Sequence, residues 1–260
     1  MILGVCCGTD ENTVKMMKEI GYMYLETGIR GFYENKARLD EFLSALDKYK
    51  IRCEVGQHPF PGEYDPSGKQ SKEALAKIRD YMYELLSATS DLNMERLVIG
   101  AGGARVLPSP DKYDNVMEQM ADICKYAISP VLDEFGIILA LEGLVKAETT
   151  MMNTTAESVK IAKLANVPNI KVMADLYHVA NENEDFADFV NYKGYIMHAH
   201  IGKPVPRVMP SNGDGYDYKP FFDALRSAGF NGRMSVEAGS SCDDYRKSLE
   251  NAVIALQPLL

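Results

Sequence analysis

Two periods of apolar residues alternate along this chain: short, nearly continuous runs typical of buried strands, and longer amphipathic stretches with helical spacing. A first run near 2–7 precedes a helical pattern near 11–20, and a second near 22–27 precedes one near 37–49, where Leu39, Phe42, Leu43 and Leu46 share a face. Cys53-Glu54-Val55-Gly56 reads as a third strand, broken by the turn Pro59-Phe60-Pro61-Gly62, and a helix is predicted from Lys72 to about Ser87. Leu97-Val98-Ile99-Gly100 is the fourth strand. An amphipathic segment over about 111–135 then leads into Ile137-Ile138-Leu139-Ala140-Leu141, apolar enough to be covered on both faces of a parallel sheet. A helix over 154–166 opens at Asn153 or Thr154, with Glu157 placed as a capping-box partner. Ile170–Asp175, a helix near 183–192 and Tyr195–Gly202 follow. A helix near 217–228 ending at Gly229, the strand Arg233–Glu237 and a terminal helix from about 242 complete eight strands and eight helices.

Eight such units in 260 residues match the roughly 250 residues of a (β/α)₈ barrel, so residues 1–260 are expected to form one TIM barrel domain. An open doubly wound sheet is the alternative, but regular repetition without a break favours closure. Cys7-Gly8-Thr9-Asp10 after the first strand offers no dinucleotide-binding G-x-G-x-x-G, and no phosphate loop occurs elsewhere.

Composition narrows the function classes. No apolar run approaches the roughly 18 residues a membrane span needs. Met1–Cys7 lacks a basic flank and a cleavage site and reads as a strand rather than a signal peptide, so a cytoplasmic location is expected. The five cysteines are odd in number and none has C-x-x-C spacing, which predicts reduced core thiols rather than disulfides or structural zinc. A net charge of −9 without a Lys/Arg block disfavours nucleic acid and leaves a small molecule as the expected partner.

In a barrel the chemistry stands at the C-terminal ends of strands. Four consecutive strands end on an acid or an imidazole: Leu141-Glu142, Ala174-Asp175, Ala199-His200 and Val236-Glu237. Singly, each acid also reads as a helix N-cap or a solvated loop residue. Jointly, three carboxylates and one imidazole turned into a barrel mouth repel one another unless a cation sits between them. Their oxygen-rich donor set suits Mn²⁺, Mg²⁺ or Co²⁺, with Zn²⁺ as a further candidate. Of four histidines, His178, His198 and His200 lie at or just past the ends of strands six and seven. His200, nearer the strand end, is the expected ligand, His198 a buried residue behind it, and His58 a loop residue lining the mouth.

These residues also carry a resemblance. Leu141-Glu142-Gly143-Leu144, Glu148-Thr149, Asn153-Thr154, Pro168-Asn169-Ile170 and Ala174-Asp175-Leu176-Tyr177-His178 resemble the middle of the xylose isomerase-like superfamily of sugar isomerases and epimerases. His198-Ala199-His200-Ile201, Arg207, Gly213–Tyr218, Phe221-Phe222, Gly229-Phe230-Asn231-Gly232 and Ser235-Val236-Glu237 continue it, and Pro61-Gly62 and Gly100–Arg105 fit earlier in the chain. The resemblance implies that Glu142, Asp175, His200 and Glu237 bind the metal, with Glu142 and Glu237 as the acid/base pair. It also implies that Glu148, His178 and Arg207 contact the substrate, with His58 and Arg105 lining the same pocket. Gly202-Lys203-Pro204 departs from the acidic residue that often follows the second histidine in this family.

The implied reaction moves a proton next to a carbonyl of a keto-sugar through a metal-stabilised enediolate. Return to the same carbon on its other face is epimerisation, and delivery to the neighbouring carbon is aldose–ketose isomerisation. Three alternatives share parts of the pattern: a dehydratase acting on an inosose or keto-glycoside, an endonuclease IV-like nuclease, and a non-catalytic sugar-binding subunit. The nuclease is disfavoured by the acidic charge and the few histidines. Barrels of this kind are often dimers or tetramers, so a homo-oligomer is among the assemblies implied.

Overall fold

The computed structural model describes residues 1–60, 71–100 and 113–260. Eight strands close into one parallel barrel in chain order: β1 (Ile2–Cys6), β2 (Tyr24–Gly28), β3 (Cys53–Gln57), β4 (Arg96–Ile99), β5 (Ile138–Glu142), β6 (Ile170–Asp175), β7 (Ile196–Ile201) and β8 (Arg233–Val236). The seam pairs Ile2, Leu3, Gly4 and Val5 with Arg233, Met234, Ser235 and Val236, so the first and last strands are hydrogen-bonded neighbours. Outside the barrel lie α1 (Glu11–Ile20), α2 (Arg30–Glu34), α3 (Lys36–Tyr49), α4 (Lys72–Ala88), α5 (Tyr113–Ile123) and α6 (Ser129–Phe135). They are followed by α7 (Thr155–Ala165), α8 (Leu176–Asn181), α9 (Lys219–Ser227) and α10 (Tyr245–Leu256). Strand–helix alternation thus closes into the (β/α)₈ barrel expected of it.

Local chemistry sets the element ends. Asp10, Asn35, Ser71, Thr154 and Asp244 each accept a hydrogen bond from the backbone N–H three residues on, satisfying one of the donors a helix start leaves open. Thr154 and Glu157 form the expected capping box. Three expectations change. The segment over 111–135 is interrupted by a π-helical turn at Cys124–Ile128, where Ser129 N–H reaches back to Cys124 C=O. Pro130 follows at once and has no N–H to continue an α-helical ladder, so the wider turn absorbs the mismatch. The helix near 183–192 is instead a 3₁₀ helix, Phe186–Tyr192, because Asp175 already caps α8 directly after β6. The short α2 lay within what read as a loop.

Inward positions repeat every second residue along a strand. Tyr24, Val55, Val98, Ala140 and Met173, from five successive strands, form a small cluster separate from the large core between barrel and helices. Gly4 makes room for it, since a Cβ there would stand 2.3 Å from Tyr24 Cζ. Nearer the N-terminal ends of the strands, Arg233 pairs with Glu54 and Glu95, Arg52 with the same two acids, and Arg96 with Glu95. All five cysteines are free, and Cys53 and Cys124 are buried as expected, whereas Cys242 is exposed. Among the described residues, no helix is long and apolar enough to cross a membrane.

Glu184 makes stability depend on pH. Its carboxylate accepts bonds from Thr155 N–H at 2.9 Å and from Thr155 Oγ at 3.2 Å, yet burial pushes its pKa from 4.5 up to about 7. An acid raised on folding stabilises the native state below its unfolded pKa, and that contribution is lost as pH rises through the folded value. Wild type should therefore lose on the order of 2–3 kcal/mol relative to Glu184→Gln between pH 5 and pH 8, read by urea unfolding at both values. Parallel pH dependence in the two proteins would refute this origin.

Candidate active site

The two-residue period that fills the lumen also loads its mouth. Glu26 stands two positions after Tyr24, Gln57 after Val55, Gly100 after Val98, Glu142 after Ala140 and Asp175 after Met173. On β7, His198 and His200 share a face, and on β8, Ser235 is followed two places on by Glu237. On β2 to β6 one more step along the inward row replaces an apolar side chain by a polar or ionisable one, or by the glycine at 100, and on β7 and β8 the row is already polar one step earlier.

Glu142, Asp175, His200 and Glu237 converge, each offering one ligand-capable atom within 4.8 Å of the others. His200 Nδ1 lies 3.2 Å from Glu237 Oε2 and 3.6 Å from Glu142 Oε1. It is buried and has no aligned hydrogen-bond partner. Asp175 divides its oxygens: Oδ1 accepts from Tyr177 N–H at 2.8 Å as the N-cap of α8, while Oδ2 faces the cluster. N-cap and candidate ligand are thus two roles of one side chain.

Arg207 fills the gap between acids. Its Nη2 lies 2.5 Å from both Asp175 Oδ2 and Glu237 Oε2, and its guanidinium stacks 4.4 Å above the Tyr177 ring. Burial opposes ionisation throughout this cluster, and what faces each group decides the outcome. Burial raises the Asp175 carboxyl above its usual range, and His178 and Arg207 offset only part of that. Burial would raise Glu237 as well, but attraction to His200 and Arg207 wins and takes it down to about 2. Burial would lower His200, but Glu26 and Glu237 hold it well above the ordinary imidazole value.

The other expected site residues divide. His178 is buried, accepts Val145 N–H at Nδ1 over 3.1 Å, and brings Nε2 to 3.6 Å from Asp175 Oδ2 and 3.7 Å from Glu142 Oε1. Glu148 is exposed on the loop after β5, near enough for its charge to act on Arg207. His58 is exposed just past Gln57, with a left-handed φ of 50°. Arg105 and Pro61-Gly62 lie outside the described residues. The departing residue Lys203 turns aside, its Nζ donating to the Asp214 carbonyl at 2.6 Å.

Glu26 was missed. It is fully buried and accepts from His198 Nε2 at 2.8 Å, His200 Nε2 at 2.9 Å and Ser235 Oγ at 2.5 Å. Burial would raise its carboxyl, but His200 and His198 outweigh burial and hold it well below the usual range. The signal that marked the other strands was present here too, since Met23-Tyr24-Leu25-Glu26 is an apolar run ending on an acid. Cys6 joins the same wall, 3.9 Å from His200 Nε2 and accepting Gln57 Nε2–H at 2.9 Å.

The known proteins to which this chain is similar include sugar epimerases. The L-ribulose 3-epimerase of Mesorhizobium japonicum is 26% identical over 185 residues, covering 70% of this chain and 60% of that protein. The chain spans between about half and 60% of the length of the first curated relatives it matches. Among solved structures, the apo form of 3-keto-D-glucoside 4-epimerase from E. coli superposes with a TM-score of 0.82 at 17% identity, covering 99% of both chains. The protein IolI, solved with a bound zinc atom, gives 0.78 at 16% identity, covering 100% of this chain and 98% of that one. The family model described as xylose isomerase-like TIM barrel matches residues 14–256, and with it the chain belongs to that family.

Proposed function

We propose that this chain is a divalent-metal-dependent epimerase or isomerase of keto-sugars, with Glu142 and Glu237 as its acid/base pair. The observation that carries this reading is the convergence of Glu142, Asp175, His200 and Glu237 within 4.8 Å of one another. Two features support a cation there. His200 Nδ1 is a buried nitrogen aimed at carboxylates without an aligned hydrogen bond, and Gly100 leaves the Glu142 carboxylate its space, since a Cβ would stand 1.9 Å from Oε2. Three carboxylates and one imidazole suit Mn²⁺, Mg²⁺ or Co²⁺, and the same set also accepts Zn²⁺.

A bound divalent ion would supply Lewis-acid stabilisation of negative charge developing on the substrate's oxygens. The chain's own residues do the rest. One glutamate takes the proton from the carbon beside the carbonyl, and the other returns it from the opposite face. Arg207 lies against Asp175 and Glu237 and over the Tyr177 ring, so once a cation takes over those carboxylates its guanidinium is placed beside them to orient a substrate oxygen. His178, fixed by Val145 N–H, turns its second nitrogen toward the same space. The named relatives act at carbon 3 of a ketose or carbon 4 of a keto-glycoside, and these are the substrate classes to screen first.

Elemental analysis of the purified protein should find about one Mn, Co, Mg or Zn per chain, lost in His200→Ala; no metal under any loading condition would overturn the reading. With D-fructose, D-psicose, D-tagatose and 3-keto-glycosides in D₂O, wild type should wash deuterium into the substrate, and Glu237→Gln should slow exchange by at least about 10²-fold. Retained exchange would remove Glu237 from the pair. Gly100→Ala should fold cooperatively yet bind metal at least about 10-fold more weakly, because Glu142 must move. Unchanged affinity would show that Glu142 is not a ligand.

A further inference from the structure

Both oxygens of the buried Glu26 carboxylate are committed. Oε1 faces His200 Nε2 at 2.9 Å, while Oε2 takes His198 Nε2 at 2.8 Å and Ser235 Oγ at 2.5 Å. Ser235 is paired in turn with Tyr24 OH at 2.8 Å, and that ring sits in the space left by Gly4. An ionised carboxylate only accepts, so the facing nitrogen of each imidazole carries a proton. In the neutral ring that a cation requires of its ligand, the lone pair of His200 is then on Nδ1, the atom that faces Glu142 and Glu237. The rings of His198 and His200 cross at 85° with centroids 5.1 Å apart, so one carboxylate receives the two donors from different directions and is held against rotation.

From this geometry we infer that Glu26 is a positioning residue, which locks His200 in the Nε2–H tautomer and so presents Nδ1 to the cation. His198 and Ser235 hold Glu26 itself in place. In this role Glu26 acts through His200 and not on the ion or the substrate. The inference rests on the metal reading above and adds a residue to it from the far side of the barrel. Hydrogen bonds to the outer nitrogen of a metal-bound imidazole fix its orientation and basicity, and their removal typically weakens binding about 10–100-fold.

Glu26→Gln is the informative change, because it keeps the shape and replaces one acceptor by an N–H₂ donor. That donor would oppose an Nε2–H, so one imidazole has to move its proton to Nδ1 or turn away. Calorimetric titration of stripped protein with Mn²⁺ should give a Kd about 10–100-fold weaker in Glu26→Gln than in wild type. Wild-type binding with an unchanged Kd in the variant would overturn the role of Glu26 alone, whereas no binding by wild type would overturn the metal reading itself. The second measurement needs no change at Glu26, so a folding failure of Glu26→Gln does not remove the test. Imidazole ¹⁵N spectra of Zn²⁺-loaded wild type, assigned through single histidine replacements, should show His200 protonated at Nε2 and metal-bound at Nδ1. A loaded His200 protonated at Nδ1 would refute the inference.

Discussion

Like charges crowded into a closed space dominate this molecule. Three carboxylates and an imidazole are drawn to the mouth because the alternating register of a parallel barrel turns every second residue inward. Water cannot solvate such a cluster fully, so each member depends on its neighbours. Arg207 spans Asp175 and Glu237, His200 is attracted by Glu237 and Glu26, and the acids settle at opposite extremes, Asp175 raised and Glu237 lowered.

The two ends of the lumen carry different tasks. Toward the N-terminal ends of the strands, arginines and glutamates occur in near balance: Arg52, Arg96 and Arg233 face Glu54 and Glu95 and satisfy one another. At the mouth, among the described residues, Glu142, Asp175 and Glu237 outnumber the one arginine, Arg207, that lies against them. Conservation of charge at one end and surplus at the other follows the general division of a TIM barrel into a stabilising and a catalytic face.

The barrel was legible because strand and helix periods differ, and the four mouth residues because each ends an apolar run. Boundaries failed where backbone chemistry overruled periodicity. Pro130 breaks a helical ladder that apolar spacing continues, and Asp175 starts a helix too early for the pattern beyond it to signal. Glu26 escaped notice for a different reason. Its strand lies far in sequence from β7 and β8, and only closure brings its carboxylate to His198, His200 and Ser235. Arg207 fitted a substrate contact in sequence, but its bridging of two acids is a property of the folded loop after β7.

That closure also orders events in time. The seam joins Ile2–Val5 to Arg233–Val236, and the bonds that organise the imidazoles run between residues 172 to 209 positions apart. Contacts of such separation form late, since the intervening chain must first be compacted. During synthesis β2 waits, its Glu26 without histidine partners, until β7 and β8 have left the ribosome. Only with that closure do the mouth residues of β2, β7 and β8 meet, so the cluster is assembled from the two ends of the chain at once.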